Sequence, residues 1–222
     1  FEAATNWKNY FASHISIFLE GRVLEVGAGI GGTTLLLNKG KADSWLLLEP
    51  DETMLQALQQ KIKDKILPSN CSAVQATLDS LGKHDKFDCI IYIDVLEHIR
   101  EDTTEIKKAV EHLEQGGHLI ILSPAFQFLF SPFDKAIGHY RRYTRKSLSA
   151  IQPASLTRKK IIYLDSIGFF ASLLNKILLR QSYPAKRQIQ VWDRGMIPVS
   201  RIMDRIFFYS FGKSILAVWK KQ

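Results

Sequence analysis

The sequence predicts an α/β domain built on a mostly parallel sheet, and three observations carry that expectation. Short apolar strand runs alternate with segments of helical period across the first two-thirds of the chain. A glycine-rich stretch, Gly27–Gly32, stands where the first strand run gives way to the first helix. A length of 222 residues with 46% hydrophobic content is enough for one core without disulfides or a structural metal. With 13 Gly and 7 Pro, the composition also argues against disorder, collagen and coiled coil.

In chain order, Arg22–Val26 reads as a strand and Gly31–Asn38 as the helix that follows the glycine turn. Ser44–Glu49 is a second strand, followed by a helix over about Asp51–Lys65. Ser72–Ala76 and Phe87–Ile93 give strands three and four. A helix of roughly Thr103–Glu114 follows, stopped by Gly116-Gly117, and His118–Ser123 is strand five. Residues 124–143 read as a loop rich in aromatics and cations, after which Thr144 can cap a short helix, Arg145–Ile151. Two later strands, Thr157–Leu164 and Ser214–Trp219, enclose a helical insertion at about 165–212. Ile167, Phe170, Leu173, Leu174, Ile177 and Leu178 recur there at helical spacing, as do Val199, Ile202, Met203, Ile206 and Phe207. The whole reads as one domain, 1–222, with a core at about 1–124 and a loop region at 124–150.

Cys71 and Cys89 lie in apolar runs without metal-ligand spacing, so they are expected to be buried free thiols in a reducing, cytoplasmic compartment. No run is long and apolar enough to read as a membrane-spanning helix. The first residue is Phe1 rather than Met, so a native start or targeting segment can lie outside this sequence. Charge is divided unevenly. Residues 1–134 hold 12 basic and 19 acidic side chains, whereas residues 135–222 hold 18 and 3. An acidic half is joined to a strongly basic one.

Gly27, Gly29 and Gly32 satisfy GxGxxG, a pattern shared with nicotinamide and flavin enzymes. Glu49, at the end of strand two, can accept both hydroxyls of a ribose, which dinucleotide folds also use. Glu25 differs: a carboxylate two residues before the first glycine suits a cationic ligand, such as a sulfonium bearing an α-ammonium group. Strand four then runs into Asp94-Val-Leu-Glu97-His98-Ile99. Together, ExGxGxG at 25–31, Glu49, "FDCIIYIDVLEHI" at 87–99 and "GGHLIILSP" at 116–124 resemble the class I S-adenosylmethionine-dependent methyltransferases, in their small-molecule branch. The resemblance covers about residues 1–165 and the last strand.

The resemblance implies a Rossmann-like seven-stranded sheet, helices on both faces, ending in an antiparallel hairpin; the 165–212 insertion reads as a lid over the acceptor site. It implies that Gly27, Ala28 and Gly29 line the methionine part of S-adenosylmethionine, that Gly31 also contacts the cofactor, and that Glu25 anchors the loop. Glu49 would bind ribose, Pro50 would flank the adenine, and Thr77 and Leu78 would meet its edge, with Asp79 either joining them or standing as a solvated loop acid. Asp94 and Val95 would lie beside the methyl group, and S-adenosylhomocysteine would be the product. A sulfonium methyl is already activated, so a base is needed only where the acceptor must lose a proton, as a hydroxyl does. His98 and His139 are the candidate bases; each also reads as a packing or capping residue. No Asp/Asn-Pro-Pro-aromatic loop follows strand four and neither cysteine suits cytosine chemistry, so hydroxyl, carboxyl or simple amine acceptors remain. No metal-ligand set is legible.

Tyr140, Arg141, Arg142 and Tyr143 cluster after strand five, where guanidinium groups suit a phosphate or carboxylate of the acceptor. The alternative reading is a solvated helix start with one Arg pairing to an acid of the first half. Lys176, Arg180, Lys186, Arg187, Arg194, Arg201 and Arg205 in the insertion give either an ordinary lid exterior or a surface for an anionic membrane. A softer resemblance of 131–148 and 211–221 to bacterial polysaccharide and glycolipid methyltransferases leans the acceptor toward a sugar or lipid-linked hydroxyl. RNA is the rival acceptor; an NAD-dependent oxidoreductase and a non-catalytic binding protein are the rival classes.

Overall fold

The computed structural model describes residues 4–176 and 185–222. Ile177, Leu178 and Arg180, expected on a helix of the insertion, lie outside the described residues. The sheet has seven strands in the order β3-β2-β1-β4-β5-β7-β6. They are β1 (Gly21–Val26), β2 (Ala42–Leu48), β3 (Cys71–Val74), β4 (Phe87–Ile93), β5 (Leu113–Pro124), β6 (Leu156–Leu164) and β7 (Ser214–Lys221). The first five run parallel, and β7 lies antiparallel between β5 and β6. This is the expected seven-stranded, mostly parallel sheet with a terminal hairpin.

Why the strand sequences read as unbroken apolar runs follows from burial on both faces. Side chains alternate across the sheet with period two. Val23, Trp45, Cys89, Ile91, Ile120 and Val218 enter one core, and Leu24, Leu48, Ile90, Tyr92, Ile121 and Trp219 enter the other. Both cysteines are buried free thiols. The second core is roofed by α4 (Asp102–Glu111) through Ile106 and Ala109, and by α6 (Arg145–Ile151) through Leu148. Thr144 caps α6 as expected, its hydroxyl accepting from the Ser147 amide at 3.1 Å.

The structure departs from the sequence reading at four places. Helix α2 is only Thr34–Leu37, because the glycine turn continues to residue 33; α3 follows at Glu52–Lys63. Helix α4 ends at Glu111 and β5 begins at Leu113; Gly116, with φ +82°, sits in a bulge of that strand rather than ending a helix. Pro132–Ala136 forms a short helix, α5, started by a Ser131/Asp134 capping box with Pro132 in its first turn. The periodicity assigns no element before Arg22, yet α1 (Thr5–Ile15) packs Trp7, Tyr10 and Phe11 onto the first core.

Between β6 and β7 lie α7 (Ser166–Leu174), α8 (Lys186–Val191), a π-helical turn (Trp192–Met196) and α9 (Ile197–Ile206). Three buried carboxylates fasten this segment. Asp165 accepts from Gly168 N–H, Trp192 Nε1 and Ser200 Oγ, at 2.7–2.8 Å. Asp204 accepts from the amides of Asp165 and Ser166 and from Tyr10 Oη. Asp193 accepts from the amides of Asn6 and Trp7, which holds the start of α1. These are the three acids of residues 135–222, and all are buried. The basic half therefore has no acidic side chain left for its surface. Among the described residues no helix is long and apolar enough to cross a membrane.

Candidate functional site

Strand order reverses between β1 and β4, so the crevice at their C-terminal ends is where an α/β sheet binds ligands. The glycine loop leaves β1 there. Gly27 and Ala28 donate their amides to the Leu48 carbonyl, tying the loop to the end of β2. Gly27 has φ +69°, and a Cβ there would meet Val95 Cγ2 at 2.7 Å; the loop and the end of β4 touch. Gly29 has φ +57° and open space where its Cβ would be, leaving bare backbone to face a ligand. Gly31 instead faces Leu58 and Leu67 and shapes the loop from inside.

The Glu49 carboxylate, nearly buried, accepts from Gly29 N–H at 2.7 Å and Asp51 N–H at 3.0 Å. Each oxygen keeps a lone pair, enough for two vicinal hydroxyls. Pro50, next in the chain, and Thr77, in the turn after β3, are exposed. Open backbone at Gly29 and a spare-acceptor carboxylate at Glu49 fit the ribose and methionine parts of S-adenosylmethionine.

Three expected contacts come out differently. Glu25 is buried and bonded within the protein, a loop anchor and not a contact for a cationic ligand. Its Oε2 accepts from Thr34 Oγ1 and Trp45 Nε1, each at 2.9 Å, so it fastens α2 to β2. Burial pushes its carboxyl up to about 7, against the pull of those bonds and of Lys8. Leu78 packs its side chain into the second core, leaving only main chain for an adenine edge. Asp79 pairs with Lys108.

Beyond β4 the chain enters a cavity of about 890 Å³. Asp94 lies on its floor with φ +55°, a conformation costly for a non-glycine residue and frequent at working sites. It is open to the cavity but ringed by protein. That surrounding mass pushes its carboxyl up to about 6, against the pull of His139 and Lys213. Glu97, His98 and His139 share the floor. Leu129, Phe133, Ile137, Leu174 and Trp192 make apolar walls, the last two from the segment between β6 and β7.

His139 Nδ1 lies 2.9 Å from Asp134 Oδ1. Asp134 also takes a two-pronged bond from Arg142, 2.8 Å to each oxygen, and two from Ser131. Although burial opposes it, the bonds from His139 and Arg142 hold the Asp134 carboxyl below the usual range. Glu97 is fully buried, with Oε2 accepting from Ser123 Oγ at 2.9 Å and Oε1 unpartnered. Burial, with Asp94 adding to it, pushes the Glu97 carboxyl well up.

The Tyr140–Tyr143 quartet is separated by the fold. Arg142 lines the cavity, but its guanidinium is committed to Asp134. Arg141 pairs with Asp102 at 2.7 Å, Tyr143 is buried with its hydroxyl on Asp102, and Tyr140 is exposed and does not line the cavity. The expected guanidinium cluster for an anionic acceptor is therefore spent on internal pairs. Sequence reasoning missed Asp134, Glu97 as a site residue, and Lys213, also on the cavity wall. The Ser-Pro-Phe-Asp helix start was a legible signal for Asp134; nothing in the sequence links it to His139.

Residues 23–117 match the methyltransferase-domain family. Over 137 residues the chain is 28% identical to the ubiquinone/menaquinone biosynthesis C-methyltransferase UbiE of Yersinia pestis; the match covers 60% of this chain and 54% of that protein. It thus spans about half the length of the curated relative. Among solved structures, a putative sarcosine dimethylglycine methyltransferase from Galdieria sulphuraria superimposes with TM-score 0.65 at 14% identity, covering 98% of this chain and 85% of the other. The N-methyltransferase NodS from Bradyrhizobium japonicum, in complex with S-adenosyl-L-homocysteine, gives 0.61 at 13% identity, over 99% and 88%. At such identities these two speak for the fold.

Proposed function

We propose, from the premise that the chain carries a class I S-adenosylmethionine-dependent methyltransferase domain, that it methylates a hydroxyl of a small or lipid-linked acceptor. The observation that carries this reading is the cavity that opens at Asp94, with a polar floor and apolar walls. Such a pocket suits an acceptor with an apolar body and one polar reacting end. S-adenosylmethionine supplies the methyl group as an activated sulfonium substituent, and its sulfur keeps the electron pair when that group leaves.

The chain's own part is holding, aligning and proton removal. Glu49 and the open Gly29 backbone hold the cofactor, and the Asp94–Val95 turn marks the end nearest the acceptor. Asp134 fixes the proton on His139 Nδ1, which leaves Nε2 to accept the hydroxyl proton as the new O–CH3 bond forms. His98, exposed on the same floor, assists in orienting the acceptor. Calorimetry with S-adenosylhomocysteine and with NADH tests the reading: binding of the first and not the second is expected. Binding of NADH alone would return the chain to the oxidoreductases.

A second observation favours a membrane-facing partner. On α9, Val199, Ile202 and Ile206 are exposed along one face beside Arg201 and Arg205, and Phe208 follows at 86% exposure. Apolar side chains flanked by cations, on a half whose acids are all buried, suit an anionic bilayer over a nucleic acid. Flotation with phosphatidylglycerol vesicles should recover the chain, and the double variant Ile202→Asp, Ile206→Asp should not float. Equal recovery with neutral phosphatidylcholine vesicles would remove the electrostatic part.

A further inference from the structure

The cavity floor holds a group of side chains whose arrangement exceeds what a single proton acceptor needs. Glu97, His98 and His139 each offer a ligand atom, and these atoms lie within 4.8 Å of one another. The two imidazole rings meet edge-on, centroids 4.5 Å apart. Glu97 Oε1 is buried, has no hydrogen-bond partner and lies 3.8 Å from His139 Nε2, too far for a hydrogen bond. A fully buried carboxyl oxygen with no hydrogen-bond partner leaves a polar atom on the cavity side for a cation or donor that the side chains do not provide.

In two of the three groups the opposite atom is already held: His139 Nδ1 rests on Asp134 and Glu97 Oε2 takes the Ser123 hydroxyl, while the His98 ring is hydrogen-bonded to the Gly138 main chain. Imidazoles that bind metals are oriented in this way, with the second ring nitrogen on a carboxylate or a carbonyl. Two imidazoles and one carboxylate on a cavity wall form the donor set of first-row divalent ions with open coordination positions. Ligand bonds of about 2.1 Å place neighbouring donors roughly 3.0–3.4 Å apart, so the three side chains close in by about an ångström.

We infer that Glu97, His98 and His139 form a binding site for one divalent first-row transition-metal ion, of the Mn²⁺, Co²⁺ or Zn²⁺ kind, with coordination positions open to the cavity. The consequence for catalysis, and it alone, rests on the methyltransferase reading. An acceptor hydroxyl bound through oxygen to the ion loses its proton to Asp94 on the same floor, and the alkoxide or phenolate then takes the methyl group. His139 is a ligand in that state rather than the base.

The test is titration of the purified chain with Co²⁺, followed by visible absorption, and with Mn²⁺, followed by electron paramagnetic resonance. One ion per chain is expected. Glu97→Gln and His98→Ala should each weaken binding at least 10-fold. His98 is exposed, so His98→Ala keeps the fold, and thermal melting with S-adenosylhomocysteine binding checks both variants. Absence of saturable binding of either ion to the unsubstituted chain overturns the inference, as does unchanged binding in both folded variants. Co²⁺ binding without S-adenosylhomocysteine binding keeps the metal site and removes the methyltransferase reading; the converse keeps that reading and removes the metal.

Discussion

Glu25→Gln separates a loop anchor from a ligand contact. Both hydrogen bonds to Glu25, from Thr34 and Trp45, go to one oxygen, and a glutamine carbonyl can accept the same pair. A carboxyl whose folded-state pKa is about 7, against an ordinary 4.5, takes up a proton on folding between those values. Stability therefore falls as pH rises across that interval and levels off above it. At about 1.4 kcal/mol per unit the whole span amounts to ~3 kcal/mol. About 2–3 kcal/mol of that falls between pH 5 and pH 8, since part of the loss has begun by pH 5. Glutamine mimics the protonated form. The variant should thus gain about 2–3 kcal/mol on the unsubstituted chain between pH 5 and pH 8, or roughly 5–10 °C in Tm. Urea denaturation of both proteins at the two pH values measures it, and Asp94 and Glu97 cancel in the comparison. Affinity for S-adenosylhomocysteine should stay within a few-fold. A constant difference across pH would refute the buried-acid argument, and a 10-fold or larger loss of affinity at full stability would make Glu25 a direct contact.

Glu49→Ala removes the acceptor that holds Gly29 and Asp51, and calorimetry should show S-adenosylhomocysteine affinity falling at least 10-fold, worth about 1.4 kcal/mol or more. Gly27→Ala combines left-handed strain with a contact on Val95 and should cost about 2–5 kcal/mol in chemical denaturation. Gly29→Ala meets no atom, so only about 1–2 kcal/mol is expected, with the larger effect on cofactor binding. Asp193→Ala frees the amides of Asn6 and Trp7 and should cost about 2 kcal/mol, with faster amide exchange through α1 than through β4.

Local rules carried much of the fold. The span of β4 follows from an apolar run in which five of seven residues are buried, and α6 from a Thr cap; both are properties of adjacent residues. Gly116 misleads because one glycine with positive φ serves equally at a helix end or in a strand bulge, and only pairing of Leu113 with Phe87 decides. Helix α1 has weak amphipathic periodicity of its own and owes its place to Asp193 and Asp204, nearly two hundred residues away.

For the site, the sequence alone determined the strand-end positions: the glycine loop after β1, Glu49 after β2 and Asp94 after β4 meet because parallel strands deliver their C-terminal ends to one edge. It also determined that the second half is basic. What the carboxylates and guanidinium groups do was left to tertiary structure. Glu25 faces inward because Thr34 and Trp45 converge on it; Arg142 is spent because Asp134 lies opposite; Glu97 and His139 meet across 42 positions of chain. Burial and pairing are properties of distance in space, and a charge pattern along the chain carries no record of which partner each charge will find.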